Sequence, residues 1–159
     1  MALEIERKFL LASDDWKGEA VRSERLVDGL LATSKGRKVR VRLYGDRATL
    51  AVKTRRAKGV RFEFEYDIPI EDAEQMLATQ CGRTVLAKRR HYIPHQGFTW
   101  EVDVYEAPLD GVVLVEVELE RADQDPPRPA WVGREVTDDP AYAKQRMFAD
   151  RVGKRAATP

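Results

Sequence analysis

The sequence predicts an α+β protein, mainly antiparallel β, whose strands curl into a barrel or tunnel rather than stack as a sandwich. Two observations carry this. About eight segments alternate apolar and polar side chains at the period of a strand, and most of them gather charge on one face. Short turns containing Gly, Asp or Pro join several of these segments as hairpins.

At 159 residues the chain suffices for one domain with a real core, expected over residues 1–152, with a flexible tail over 153–159. Apolar residues make up 43 % and charged residues 35 %, so the chain folds yet carries more charge than is usual. With 28 Lys and Arg against 27 Asp and Glu, no global field draws it to a nucleic acid polymer or an anionic membrane. The single cysteine, Cys81, excludes an internal disulfide, and with His91 and His95 it makes no zinc cluster, so any metal is held by oxygen. No stretch is apolar enough to span a membrane, and the charged start at Glu4 does not read as a secretion signal. The expected setting is cytoplasmic.

The first strand, Ala2 to Leu11, puts Glu4, Glu6 and Lys8 on one face and Ile5, Arg7 and Phe9 on the other. Ser13-Asp14-Asp15-Trp16 then starts a short helical turn. A second strand runs from Val21 to Ala32, where Gly29 marks a bulge or a close approach. Arg37 to Arg55 is the clearest hairpin. With Gly45-Asp46 as a two-residue loop, Arg42 faces Thr49, Arg40 faces Ala51 and Lys38 faces Lys53. Like charges opposed in this way are unfavourable unless an anion lies between the strands.

Val60 to Ile68 alternates Glu63 and Glu65 with Phe62, Phe64 and Tyr66. Ile70 to Cys81 has helical spacing, with Glu71 and Asp72 in its first turn. Thr84 to Ile93 and Phe98 to Glu106 form another hairpin, and a loop over Pro94-His95-Gln96-Gly97 sets Arg90 against Glu101 and Lys88 against Asp103. Val112 to Glu120 follows; pairing Tyr105 with Val112 brings Glu116 opposite Glu101. Pro126, Pro127 and Pro129 end the strand series. Asp139 as N-cap, with Pro140 at the first helical position, opens a helix from about Ala141 to Val152 that covers one mouth of the barrel.

By parity the acids Glu4, Glu6, Glu63, Glu65, Glu101, Asp103, Glu116 and Glu118 share one face with the bases Lys8, Arg40, Arg42, Lys53, Lys88 and Arg90. One half-exposed strand often looks like this. Same-sign pairs repeated on strand after strand do not, because they repel unless counter-ions are bound. His91 and His95 read as ordinary surface or edge residues, and Trp16, Trp100 and Trp131 as packing between wall and helices. Arg55, Arg56, Lys58 and Arg61 read as a solvated basic loop, with an extension of the phosphate path as the lesser alternative. Outward-facing Ile5, Phe9, Phe62 and Phe64 pack either on helices or on a second copy, so a homodimer is one of two expectations.

These motifs resemble, in order, those of the CYTH domain, or triphosphate tunnel metalloenzyme, superfamily. Glu4-Ile5-Glu6-Arg7-Lys8 is similar to its amino-terminal Glu-x-Glu-x-Lys signature. Lys38-Val39-Arg40-Val41-Arg42-Leu43, Leu50-Ala51-Val52-Lys53, Arg61-Phe62-Glu63-Phe64-Glu65 and Lys88-Arg89-Arg90 follow. Trp100-Glu101-Val102-Asp103, Val115-Glu116-Val117-Glu118 and Trp131-Val132-Gly133-Arg134-Glu135-Val136-Thr137 complete the series. A lone Glu-x-Glu-x-Lys is a weak signal; the ordered series covers almost the whole chain.

The resemblance implies an eight-stranded closed β-barrel tunnel with peripheral helices and a C-terminal helix near one mouth, acting on triphosphates with Mg²⁺ or Mn²⁺. It implies that Glu4, Glu6, Glu116 and Glu118, with Asp103, hold the metal. Lys8, Arg40, Arg42, Lys53, Lys88 and Arg90 then hold the phosphate chain, and a second metal or an acid such as Glu63, Glu65 or Asp103 positions the attacking water. Inorganic tripolyphosphate is the first substrate expected, since little lies outside the tunnel to recognise a base. Adenylate cyclisation, hydrolysis of thiamine or nucleoside triphosphates, and binding without turnover are the alternatives.

Small bacterial members often carry Gln-Gly-Tyr-Leu where this chain reads Asp28-Gly29-Leu30-Leu31. The tyrosine that acts there with the lysine matching Lys53 is missing, which makes Lys53 a phosphate ligand before half of an acid/base pair. Lys144 stands near a usual Asn, and Arg134 adds a cation, so the mouth is expected to be more basic.

Overall fold

The computed structural model describes residues 2–157, with side chains described through 151. Its strands are β1 (Leu3–Leu11), β2 (Arg22–Ser34), β3 (Arg37–Leu43), β4 (Ala48–Ala57), β5 (Val60–Ile68), β6 (Leu86–His95), β7 (Phe98–Tyr105), β8 (Val113–Leu119) and β9 (Val132–Glu135). Two α-helices accompany them, α1 (Ile70–Thr79) and α2 (Lys144–Ala157). The tail expected from 153 falls on the end of α2, where side chains lie outside the described residues, as do residues 158 and 159 entirely.

Eight strands close into an antiparallel barrel in the order β1-β5-β4-β3-β2-β6-β7-β8, with β8 returning to β1. Closure rests on β1. Its start pairs with β5 (Leu3↔Phe62), its middle with β8 on the opposite edge (Glu6↔Glu118), and its end with β9 (Leu11↔Val132). Strand β9 was not among the elements expected; its residues follow a proline-rich stretch and are extended because the free end of the β1 edge supplies their partners.

The β3–β4 register is the expected one, with Arg42 opposite Thr49, Arg40 opposite Ala51 and Lys38 opposite Lys53. The β6–β7 register differs. Arg90 faces Asp103, Tyr92 faces Glu101 and Lys88 faces Tyr105, because the hairpin turns on Gln96 and Gly97 alone, at φ of 47° and 82°. Left-handed φ at both central residues is the signature of the tight hairpin turn, and Pro94 stays within β6 rather than ending it. The two-residue slip keeps every side chain on its face.

Large apolar side chains pack outside the barrel wall, not within it. Phe9, Ile93, Trp100, Val102, Val115 and Val117 of β1 and β6–β8 are fully buried beneath Trp16 and Trp131. Each such side chain contributes roughly 1.5–3 kcal/mol. Phe9, expected on an outward face open to helices or a second copy, lies 5.4 Å from the Trp100 ring in this core, whereas Phe64 stays exposed.

Helix α1 packs on β2–β4 through Ala73, Met76 and Leu77, against Val41 and Ala48. Gly29 is where it comes closest: a Cβ there would stand 2.5 Å from Cys81 Sγ and 2.8 Å from Leu77 Cδ2. The Asp139 cap forms as expected, its side chain accepting from the Ala141 amide, but it caps a 3-10 turn over Pro140–Tyr142, and α2 begins only at Lys144. Met147 of α2 is buried with Leu86, Tyr105, Leu109 and Leu114, which seats the helix over one mouth.

Candidate active site

The period-two alternation turns the charged face of the barrel strands inward, onto a cavity of about 660 Å³. Glu4, Glu6 and Lys8 of β1, Arg40 and Arg42 of β3, Lys53 of β4, Arg90 of β6 and Glu116 of β8 all line it. Asp28, Arg55, Arg61 and Lys144, all outside the charged face assigned by parity, line the wall as well, Lys144 as the basic charge expected at the mouth and Arg55 and Arg61 as the lesser alternative to a solvated loop. Arg61 shares the parity of Glu63 and faces Glu4 across β1–β5, so the basic stretch read as a loop is strand on both sides of Lys58-Gly59. Parity was the signal that would have found it.

Asp103 is the electrostatic hub. Fully buried, it accepts from the Lys88 ammonium at 2.5 Å and from Arg90 Nε and Nη2 at 2.7 and 2.8 Å. Arg90 also reaches Glu101 at 2.6 Å and Glu116 at 3.0 Å. Burial works against ionising Asp103, yet Lys88 and Arg90 hold its carboxyl below the usual range. Burial and the nearby Arg90 push the Lys88 ammonium down. Glu101 is pushed up to about 7, first by burial and then by Glu116 and Asp103 against the pull of Arg90.

On the opposite wall, Lys53 bridges Glu4 at 2.9 Å and Glu63 at 3.4 Å. Arg40 meets Glu65 at 3.1 Å and Glu63 at 3.5 Å, while its buried Nε has no acceptor among the described residues. Arg42 donates twice to Asp28, at 2.5 and 2.8 Å, and Lys144 reaches the same carboxylate at 3.3 Å. Burial opposes both charges of the Asp28–Arg42 pair, and their mutual attraction overcomes it, holding Asp28 well below its ordinary value.

The acids on β1 and β8 crowd one another. Glu6 is pushed up by burial and by Glu116 and Glu4; Glu118, on the exposed rim opposite Glu6, is raised by burial and by Glu4, Glu6 and Glu63. Glu116 behaves oppositely: burial works against its charge, but Lys8, Lys88 and Arg90 hold it well below the carboxylate range. Lys8 stands 3.6 Å from Glu116. Glu6 is held in place by backbone, its amide donating to the Gly59 carbonyl at 2.9 Å. Gly59 itself has φ of +67°, leaves room for no Cβ against the Glu6 carbonyl, and donates to Asp138 at 2.6 Å.

The arrangement therefore separates two functions. Cations on β3, β4 and β6 can neutralise a chain of phosphates, and carboxylates on β1 and β8 can share a hard divalent ion with it. Among the described residues no three His, Cys, Asp or Glu side chains stand gathered at metal-binding spacing. The donor set nevertheless suits such an ion: it is all oxygen, and the mutual repulsion that raises Glu6 and Glu118 is what a cation would relieve.

The CYTH domain family profile matches residues 2–146. The chain belongs to the CYTH family. Among CYTH relatives, the inorganic triphosphatase of Acetivibrio thermocellus is 36 % identical over 147 residues, covering 92 % of this chain and 94 % of that one. That of Nitrosomonas europaea is 33 % identical over 148 residues, covering 91 % and 95 %. A crystal structure of an inorganic triphosphatase superposes with a TM-score of 0.65 at 31 % identity, over 93 % of this chain and 95 % of that one. A putative adenylyl cyclase from Hippeastrum shares the fold alone, at a TM-score of 0.56 and 16 % identity, over 76 % and 80 % of the two chains. No helix among the described residues is long and apolar enough to cross a membrane.

Proposed function

We propose that this CYTH protein hydrolyses inorganic tripolyphosphate to pyrophosphate and phosphate, with Mg²⁺ or Mn²⁺ as cofactor. The observation that carries the reading is the Nε–H of Arg40, buried without an acceptor among the described residues on a cavity whose wall also bears Lys8, Arg42, Lys53, Arg61 and Arg90. A buried donor left unpaired is costly, and a polyanion supplies the missing acceptor. The names of the two triphosphatase relatives, similar over nearly the whole chain, point the same way.

In this reading Lys8, Arg40, Arg42, Lys53 and Arg90 grip the phosphate oxygens. Lys88 lies behind them and, with Asp103, orients Arg90. Both Asp103 oxygens are occupied by these cations, so Asp103 serves as their counter-ion rather than as a metal ligand or a holder of water. Glu4, Glu6, Glu116 and Glu118 are the residues that would hold the metal, which when bound neutralises phosphate charge as a Lewis acid. Phosphate binding draws Lys53 and Arg40 from Glu63 and Glu65. The freed carboxylate accepts a proton from a water that attacks the terminal phosphorus in line, the new P–O bond forming as the bond to pyrophosphate breaks.

The test incubates purified protein with tripolyphosphate, ATP and thiamine triphosphate, each with Mg²⁺, Mn²⁺ or a chelator, and resolves the products. Tripolyphosphate cleavage lost in chelator supports the reading; preference for either organic triphosphate, or no turnover, removes it. Glu6→Gln is expected to abolish metal-dependent turnover while the fold persists, and unchanged activity takes Glu6 out of the metal site.

A further inference from the structure

Helix α2 brings into the cavity a cation that neither the motifs above nor the roles assigned so far use. Lys144, its first residue, lines the wall together with Gln145 and Phe148. Its partner Asp28 is already satisfied. Both Asp28 oxygens are taken by the fork of Arg42 at 2.5 and 2.8 Å, and Lys144 shares one of them at the longer distance of 3.3 Å. Arg42 and Asp28 keep only 7 % and 10 % of their side chains accessible, whereas Lys144 keeps 30 %. One carboxylate thus answers two cations, and Lys144 is the looser of the two.

Local energetics oppose the position. A cation in the first turn faces the positive end of its own helix, and α2 has no acidic residue there to offset it. Burial, then Lys88 and Arg42, push the Lys144 ammonium well below its ordinary range against the pull of Asp28. The helix itself does not need this contact to stay seated, since Met147 is buried with Leu86, Tyr105, Leu109 and Leu114. A charge held at such cost beside a cationic cavity is explained if an anion arrives to receive it.

We propose that Lys144 is a substrate-binding residue whose ammonium passes from Asp28 to a phosphate of the bound polyphosphate, fastening α2 over the loaded tunnel. The inference rests on the triphosphatase reading and adds to it a contact from outside the barrel. Its flexible stem carries a point charge able to follow a phosphate, while Arg42 keeps Nε and Nη2 on Asp28 and turns only its remaining Nη1 to the phosphates. Asp28 then acts as the place-holder of the empty state.

The experiment compares Lys144→Met, Lys144→Gln, Lys144→Arg and Asp28→Asn by tripolyphosphate kinetics with Mg²⁺ and by amide exchange in α2 with and without tripolyphosphate. Removing the charge is expected to raise KM about tenfold or more in both Lys144→Met and Lys144→Gln, with kcat changed much less. Lys144→Arg restores KM, and Asp28→Asn, which frees Lys144 but also loosens Arg42, is read by exchange instead: tripolyphosphate still slows α2 in it. Tripolyphosphate slows α2 exchange in the wild type but not in Lys144→Met. A merely structural ion pair gives the opposite pattern: Lys144→Met and Asp28→Asn then act alike, and α2 protection survives both. That result, or an unchanged KM in Lys144→Met, overturns the proposal. A wild-type protein that neither cleaves tripolyphosphate nor gains protection from it removes the functional reading, and this inference with it.

Discussion

Replacing Asp103 by Asn tests the claim that the tunnel's charge is organised around one buried carboxylate. The substitution keeps the shape but removes the only negative charge bonded, among the described residues, to Lys88, whose side chain is 2 % exposed, and turns one of the two acceptors that orient Arg90 into an NH2 donor. Arg90 keeps Glu101 and Glu116; Lys88 has no second ion pair among the described residues. Removing one partner of a buried pair costs about 3–5 kcal/mol, because the other charge stays desolvated. For a chain of this size that lowers Tm by roughly 6–20 °C. Urea unfolding followed by circular dichroism measures it, first in plain buffer and then with tripolyphosphate and chelator. Lys88→Met in the Asp103→Asn background removes the stranded ammonium and is expected to recover much of the loss. A loss below about 1 kcal/mol, or no recovery in the double variant, refutes the hub role of Asp103.

Two further predictions concern stability, at contacts on the outer side of the barrel wall. Glu135 on β9 accepts from Arg7 on β1 at 2.8 and 3.1 Å, and those bonds hold its pKa at about 2 against an ordinary 4.5. A carboxyl depressed in the folded state stabilises above its unfolded pKa and loses that contribution as pH falls from 4.5 toward 2. Glu135→Gln should therefore cost about 2 kcal/mol at pH 7, allowing for partial exposure, with the gap to wild type closing as pH drops; a constant gap argues against the linkage. Gly29→Ala forces a Cβ into Cys81 and Leu77 and should destabilise by about 1–3 kcal/mol in denaturant melts, with KM and kcat intact, and Cys81→Ala should relieve part of it.

How far the site was legible followed from what fixes each feature. Parity along a strand is a local property, so Glu4, Glu6, Arg40, Arg42, Lys53, Arg90 and Glu116 could be assigned to one cavity without knowing the topology. The β3–β4 register was equally readable because Gly45-Asp46 makes a turn recognisable in itself. The β6–β7 register misled because Pro94 looked like a strand stop, whereas the turn needed only the two left-handed residues after His95. The pairing of Asp28 with Lys144 was hidden for another reason. Each is an ordinary charge within its own segment, and only the seating of α2 on the barrel mouth, a long-range event, makes them a pair. Strand β9 is likewise created by its neighbour rather than by its own sequence.

The triple engagement of β1 has a consequence for how the chain reaches its native state. Its partners lie in β5, β8 and β9, so the ring cannot shut until segments from near both ends of the barrel sequence have met, as Ile5 does with Leu119. The hairpins from β2 to β5 and from β6 to β8 can zip early, as two open arcs with exposed rims. Such nonlocal closure is slow and leaves unpaired edges at risk of sticking to other chains in the meantime. The opposing carboxylates of Glu6 and Glu118 sit on the last seam to be sewn. Repulsion there would hold the seam ajar, and any cation settling between the two carboxylates would help the ring to finish closing.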